Sequence, residues 1–110
     1  MSLYASYLEE RTTDHIIESD LGFVTYRYLD GGKSVYIVDL YVPIRFRKQG
    51  FASKLADLVC KEAKGKGYAE LLGTVVPEAK GSTDSLKVLL AYGMTLQSVA
   101  QNAIVFRKDI

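Results

Sequence analysis

Residues 34–76 contain an apolar run, then an amphipathic run, then a second apolar run, and few folds accommodate this order. The run SVYIVDLYV at 34–42 has apolar residues on both faces, which predicts a central strand covered on both sides, and it stops at Pro43. Residues 50–66 repeat apolar side chains at helical spacing, and YAELLGTVV at 68–76 predicts a second strand. Because a crossover helix returns the chain to the same end of the sheet, the two strands are predicted to run parallel.

Shorter elements flank this unit. Helical spacing predicts helices at 3–11 and 82–92, whereas β-branched and aromatic runs predict strands at 15–18, at 21–29 and, as a pair, within 95–108. The resulting order predicts a mixed α+β or α/β fold, with a central mixed sheet flanked by helices. At 110 residues and 48% hydrophobic composition, we expect one domain that spans residues 1–110.

Charge is unevenly distributed, although the whole chain carries only +1. Residues 1–30 sum to −4, whereas residues 43–67 sum to +5. A nucleic-acid-binding protein normally has a large basic excess over an extended surface, so no nucleic-acid partner is expected. The positive charge instead concentrates around the start of the predicted helix at 50–66.

The chain has neither a long apolar run nor a cysteine framework. No run approaches the roughly 18 apolar residues of a membrane span, and no signal-peptide pattern opens the chain, so no membrane partner is expected. Cys60 is the only cysteine, which excludes an intrachain disulfide and a cysteine-based metal site. No metal is expected, and the composition fits a cytoplasmic location.

The helix that begins near Gly50 has cations where helices usually have acids. Its first N–H groups lack internal partners, and the helix dipole adds partial positive charge there. This sequence nevertheless places Arg45, Arg47, Lys48 and Lys54 around that end. The arrangement predicts a bound phosphate, and the alternative is a solvated basic loop before a helix.

The same segment carries a recognisable spacing. Neither G-x-x-x-x-G-K-[ST] nor G-x-G-x-x-G occurs. The pattern Arg47-x-x-Gly50-x-Ala52, after an apolar strand that ends at Pro43, resembles the [RQ]-x-x-G-x-[GA] signature of the acetyl-CoA-dependent N-acetyltransferase (GNAT) superfamily. The likeness extends over residues 21–107, through the region Tyr92-Gly93-Met94, and the chain is similar to very short GNAT-like proteins of phage genomes.

The resemblance implies a GNAT-like acyl-CoA N-acyltransferase fold with an abbreviated N-terminus. It also implies transfer of the acetyl group of acetyl-CoA to a primary amine by direct attack. The backbone of Leu40, Tyr41 and Val42 would bond the pantetheine arm where two strands splay, with the N–H of Leu40 or Val42 near the oxyanion. The pyrophosphate would lie against Arg47, Lys48, Gln49, Gly50, Phe51, Ala52 and Ser53.

Two residues are candidates for proton transfer. Strand alternation places Asp39 on one face with Val35 and Ile37, and burial there would raise its pKa toward that of a general base. The alternative is a structural carboxylate. Tyr92 is the candidate acid, because Leu89 occupies the position of the family's usual tyrosine. The alternative is that Tyr92 is a packing residue.

Several points stay open at this stage. Leu89 at the family's usual acid position favours an alternative function as a non-catalytic acyl-CoA-binding or protein-interaction module, whereas Asp39 and the intact phosphate loop favour the acetyltransferase. The polar cluster 82–85 replaces the family's helix-start asparagine. The acidic first third suggests a cationic acceptor, either a small amine or a lysine-containing peptide. The tail strand is the expected contact of a homodimer.

Overall fold

The computed structural model describes residues 2–29, 31–78 and 80–110, and the side chains of all of these except 82–85. Six strands form one mixed sheet in the order β1-β2-β3-β4-β6-β5, with three α-helices. The elements, in chain order, are α1 Leu3–Arg11, β1 His15–Ser19, β2 Gly22–Tyr28, β3 Ser34–Tyr41, a 3-10 turn Ile44–Phe46, α2 Phe51–Gly65, β4 Glu70–Val75, α3 Ser82–Ala91, β5 Thr95–Ala100 and β6 Ala103–Asp109. The predicted order and fold class are confirmed.

The crossover from β3 through α2 to β4 has the predicted geometry. β3 and β4 pair in parallel, and every other neighbouring pair in the sheet is antiparallel. Gly67, just beyond α2, has φ +90°, a left-handed conformation that glycine adopts without steric cost. Glycine at this position therefore ends the helix and lets the chain turn into β4.

β3 contains a β-bulge that the alternation of its sequence does not reveal. Tyr26 of β2 pairs with Ile37, but Thr25 pairs with Asp39, so Val38 is an extra residue without a partner on β2. The extra residue reverses the faces of everything that follows it. Asp39 therefore lies on the face opposite Ile37, and its predicted placement with Val35 and Ile37 is wrong.

One face of the sheet, here called the helix face, carries the main core. α2 and α3 both cover it, and their apolar side chains join those of β2, β3, β4 and β6 in a single cluster. The buried members of this cluster are Val24, Tyr26, Val35, Val42, Leu55, Val59, Ala63, Leu71, Val75, Met94 and Phe106. The apolar stripe predicted for α2 thus faces the sheet.

The opposite face, here called the open face, is covered only in part. α1 lies against it near β1 and β2, where Tyr4 contacts the Phe23 ring and the Ser2 hydroxyl donates to Glu18 (2.9 Å). Further along β3, Val38 and Tyr41 stay 37% and 46% exposed. The expectation that β3 is covered on both sides is therefore wrong for its second half.

The helices of the described residues are short for a bilayer. α2, the longest of them, has 15 residues, and none of them combines the length and apolarity that a membrane crossing requires.

Candidate active site

A gap opens in the sheet between β3 and β4. Only Ser34, Val35 and Tyr36 pair with β4, although β3 continues to Tyr41 and β4 continues to Val75. Beyond the Tyr36–Leu72 pair the two strands diverge. Such a gap leaves backbone groups free to bind an extended ligand between the strands. The predicted pantetheine-binding residues 40–42 lie along its β3 side.

The start of α2 provides free N–H donors beside this gap. The first helical hydrogen bond runs from the Lys54 N–H to the Gly50 carbonyl (3.1 Å), so the N–H groups of the three preceding residues have no helical acceptor. Gly50 occupies the cap position with φ +83°, and no side chain caps the helix. The first turn of the helix contains no acidic residue. This helix end is therefore a site where an oxyanion can accept several backbone hydrogen bonds.

The loop before α2 holds an unfavourable conformation at Lys48. Its φ is +63°, in the left-handed region, which costs about 1 kcal/mol for a residue with a Cβ atom. Strain of this kind persists where the surrounding structure imposes it and is common at ligand-binding sites. The loop is anchored by Arg47, whose Nε donates to the Val42 carbonyl (2.8 Å), and by an edge-to-face contact between Phe46 and Phe51.

The cations around this helix end have no acidic partner among the side chains that the structure describes, which are those of residues 2–29, 31–78, 80–81 and 86–110. The ion pairs of these side chains, with N–O distances up to 4.0 Å, leave Arg45, Arg47, Lys48 and Lys54 without a partner. Arg45 and Lys54 lie over neighbouring phenylalanine rings instead. Four unpaired cations near one helix start repel one another, and an anion bound there would remove that repulsion.

Asp39 is exposed, which contradicts the burial expected for it. Its carboxylate accepts the N–H of Leu40 (2.9 Å), and among the described residues no cation lies within ion-pairing distance of it. The same contact engages the Leu40 N–H, one of the two predicted oxyanion donors.

Tyr92 lies on the helix side of the sheet. Its hydroxyl donates to Asp57 (2.6 Å) and contacts the Cys60 sulfur (3.5 Å), both on α2. Burial and the Asp57 hydrogen bond raise the pKa of Tyr92, and burial also raises the pKa of the Cys60 thiol. Asp39 faces the opposite side, so the structure does not bring the two predicted proton-transfer residues together.

Leu89 occupies the space over the middle of β4. Its side chain lies 3.4 Å from where a Cβ atom on Gly73 would be, so the two residues pack in direct contact. An apolar group thus fills the position at which the resemblance expects an acid. The polar cluster at 82–85 lies outside the residues whose side chains are described.

Sequence reasoning missed a hydroxyl pair at the gap. The Tyr36 hydroxyl and the Thr74 Oγ1 are 2.7 Å apart and join β3 to β4 where the strands begin to diverge. From the sequence, Tyr36 is expected only to make cross-strand contacts with Tyr26 and Tyr28. Its partner lies 38 positions away in the sequence, and only the pairing of β3 with β4 reveals the contact.

The comparisons with known proteins agree with this geometry. The model of the Acetyltransferase (GNAT) family matches residues 4–86. A 64-residue stretch, 58% of this chain, is 34% identical to the thialysine N-epsilon-acetyltransferase of Bos taurus, and the match spans only 38% of that protein.

Solved structures show the same fold at low sequence identity. A GNAT family acetyltransferase from Elizabethkingia anophelis with acetyl-CoA bound superposes with a TM-score of 0.73 and 18% identity, over 98% of this chain and 82% of that one. The PaiA N-acetyltransferase of Thermoplasma acidophilum, in complex with coenzyme A, gives 0.77 and 13%, over 96% and 66%. With three quarters of its residues matched by the family model, this chain belongs to the acetyltransferase (GNAT) family.

Proposed function

We propose that this protein binds acetyl-CoA and transfers its acetyl group to a primary amine. The observation that carries the proposal is the uncapped, acid-free start of α2 beside the β3–β4 gap. A pyrophosphate at the helix start and an extended arm in the gap fit the two features together. The acetyl-CoA and coenzyme A bound to the two structural relatives support this choice of ligand.

The residues around the helix start fit a pyrophosphate. The free N–H groups of Phe51, Ala52 and Ser53 would bind its oxygens, and Arg47 and Lys48 would supply countercharge. A Cβ atom built on Gly50 meets no atom within 4 Å, which leaves space for an oxygen close to the backbone. Gln49, whose side-chain amide donates to the Arg45 carbonyl (3.3 Å), would hold the loop in place.

The gap would carry the thioester through the sheet to the open face. There the unprotonated amine attacks the carbonyl carbon, the C–N bond forms, and the C–S bond breaks with its electron pair on sulfur. From the neutral amine, the nitrogen loses one proton and the thiolate gains one, so this step needs no further proton. The proton that the ammonium group loses beforehand passes to the base and then to solvent. Asp39, exposed on the open face, is our candidate to accept the proton of the incoming ammonium group.

The acceptor that we propose is a small amine or a lysine-containing peptide. The open face near the gap carries the unpaired Asp39 and the exposed ring of Tyr41, which contacts Phe23 (5.7 Å between centroids). A carboxylate and aromatic faces attract an ammonium group. The side-chain amine of thialysine, the substrate in the bovine relative's name, is of this class.

Release of free thiol from acetyl-CoA tests the transfer. We expect the protein to release coenzyme A faster with at least one of spermidine, L-lysine, thialysine and a lysine-containing peptide than without an amine. The amine product should carry one added acetyl group by mass spectrometry. Thiol release that no amine accelerates, from a protein that still binds acetyl-CoA, would contradict the enzyme proposal and support the non-catalytic binding module.

We also propose a homodimer in which β5 pairs with the β5 of a second copy. All six residues of Thr95–Ala100 are exposed, none is charged, and within the described part of the chain the strand pairs only with β6. Edge strands of monomers usually carry charges or proline that block such pairing. Leu96 and Val99 are 59% and 70% exposed.

Sedimentation velocity tests the dimer. We expect the wild type to sediment as a dimer and Val99→Lys as a monomer, because a charge at the paired edge opposes association. Val88→Lys, at a 40% exposed position on α3, is the matched control and should stay dimeric. A monomeric wild type at 100 µM, a concentration of the order at which weak dimers form, would contradict this proposal.

A further inference from the structure

The Tyr36 and Thr74 hydroxyl groups contact each other at the gap but have no role in the acetyl transfer as proposed above. Tyr36 is the last residue of β3 that pairs with β4, and Thr74 lies two residues beyond its pairing partner Leu72. Their oxygens are 2.7 Å apart, and either one can donate. The pair therefore bridges the two strands where the gap begins.

The register places this pair on the same face as the candidate base. Tyr36 lies before the bulge and Asp39 after it, and because Val38 is the extra residue, both side chains point to the open face. Val38 lies two residues, or about 7 Å, further along β3 than Tyr36. The hydroxyl pair therefore lies at the narrow end of the gap, on the face to which the proposed function brings the thioester.

The other candidate proton donors of this region are unsuited to the sulfur. Leu89, which occupies the position of the family's usual acid, has an aliphatic side chain that cannot donate a proton. The Tyr92 hydroxyl is committed to Asp57 and lies on the helix face. Tyr41 lies at the far end of β3, where its ring contacts that of Phe23 at a tilted angle. Among these groups, the Tyr36 hydroxyl alone lies across the gap itself.

We propose that Tyr36 gives its hydroxyl proton to the departing thiolate, with Thr74 as a positioning residue that orients this hydroxyl; the proposal rests on the acetyl transfer proposed above. As the C–S bond breaks, its electron pair goes to sulfur and the phenol proton follows. The phenolate that remains regains a proton from the new amide nitrogen, whose proton is in excess after attack. The cycle needs no further reactant.

Phenylalanine at position 36 tests the role, because it removes the hydroxyl and keeps the ring. We expect Tyr36→Phe to lower kcat about 100-fold, at the lower end of general acid effects, with the KM for acetyl-CoA unchanged within twofold. The stabilisation of the protein by acetyl-CoA in thermal melts should also be unchanged. Thr74→Val should lower kcat by a smaller factor, about tenfold, because the Tyr36 hydroxyl stays present but loses its orientation.

Tyr28→Phe is the matched control on the neighbouring strand. The Tyr28 hydroxyl is buried without a hydrogen-bond partner among the described groups, and burial raises the pKa of Tyr28 to about 12. Its removal should leave kcat and KM at wild-type values. Thiol release by Tyr36→Phe within threefold of the wild type would overturn the proposal, as would a parallel loss of acetyl-CoA binding. If the wild type and Tyr36→Phe are both active, only the proposed role of Tyr36 is contradicted. If the wild type shows no amine-dependent thiol release, the proposed acetyl transfer itself is contradicted.

Discussion

Replacing Gly50 with leucine is expected to abolish the stabilisation of the protein by acetyl-CoA. A ligand at 100 times its Kd stabilises the folded state by about 2.7 kcal/mol, which is a rise in Tm of roughly 10 °C or more for a domain of this size. A side chain at position 50 projects into the space that the phosphate oxygens would fill, and it opposes the φ of +83°. The Tm of Gly50→Leu should therefore not respond to acetyl-CoA.

Gly67→Leu is the matched control at the other end of α2. Gly67 has φ +90°, and a Cβ atom there also meets nothing within 4 Å, so both variants carry the same backbone strain of about 1–2 kcal/mol. We expect both to lose similar stability without ligand and only Gly67→Leu to respond to acetyl-CoA. If Gly50→Leu kept the wild-type response, the start of α2 would not be the phosphate site.

Gly22→Ala is expected to cause the largest loss of stability of any single methyl addition that we consider. Gly22 begins β2 with φ +151°, and a Cβ atom there would lie 2.3 Å from the carbonyl oxygen of Tyr41 at the end of β3. Because backbone atoms cannot move aside as a flexible side chain can, the start of β2 and the end of β3 must separate. We expect a loss of about 3–5 kcal/mol in the free energy of unfolding, measured by urea denaturation.

Gly31→Ala separates the clash from the strain. Gly31 has φ +100°, but a Cβ atom there meets nothing within 4 Å. This variant should lose only about 1–2 kcal/mol. Equal losses in the two variants would show that the close approach of Gly22 to Tyr41 does not hold the end of β3.

The sequence predicts the framework of the fold well because periodicity is a local property. The helix expected at 50–66 is Phe51–Gly65, and the parallel strands expected at 34–42 and 68–76 are Ser34–Tyr41 and Glu70–Val75. Apolar spacing and the glycine at the helix end determine these elements within a few residues along the chain.

The site is predicted unevenly for the same reason. The basic, uncapped helix start is visible in consecutive residues around Gly50. The faces of β3 are not, because the bulge at Val38 depends on how β2 pairs with β3. One inserted residue places Asp39 on the open face. The Tyr36–Thr74 contact depends instead on the register of β3 with β4, which consecutive residues do not show.

The charge pattern explains why the basic helix start is predictable from the sequence, whereas an acidic surface for the acceptor is not. The cations near α2 are close in sequence, and they stay close in the fold because a short anchored loop carries most of them. The described acidic residues of the first third are spread over α1, the loop before β1, β1 and the turn that follows it, and part of that charge is used internally. Asp14, for example, pairs with Arg27 (2.7 Å).

Thermal melting of the protein with acetyl-CoA tests most directly whether the start of α2 and the β3–β4 gap form a binding site for this ligand. We predict a Tm that rises with the logarithm of the acetyl-CoA concentration. Fragments of acetyl-CoA that lack a phosphate group or the pyrophosphate carry less negative charge, and they should raise the Tm less. An unchanged Tm at millimolar acetyl-CoA, of the order of 1 mM or above, would contradict the account.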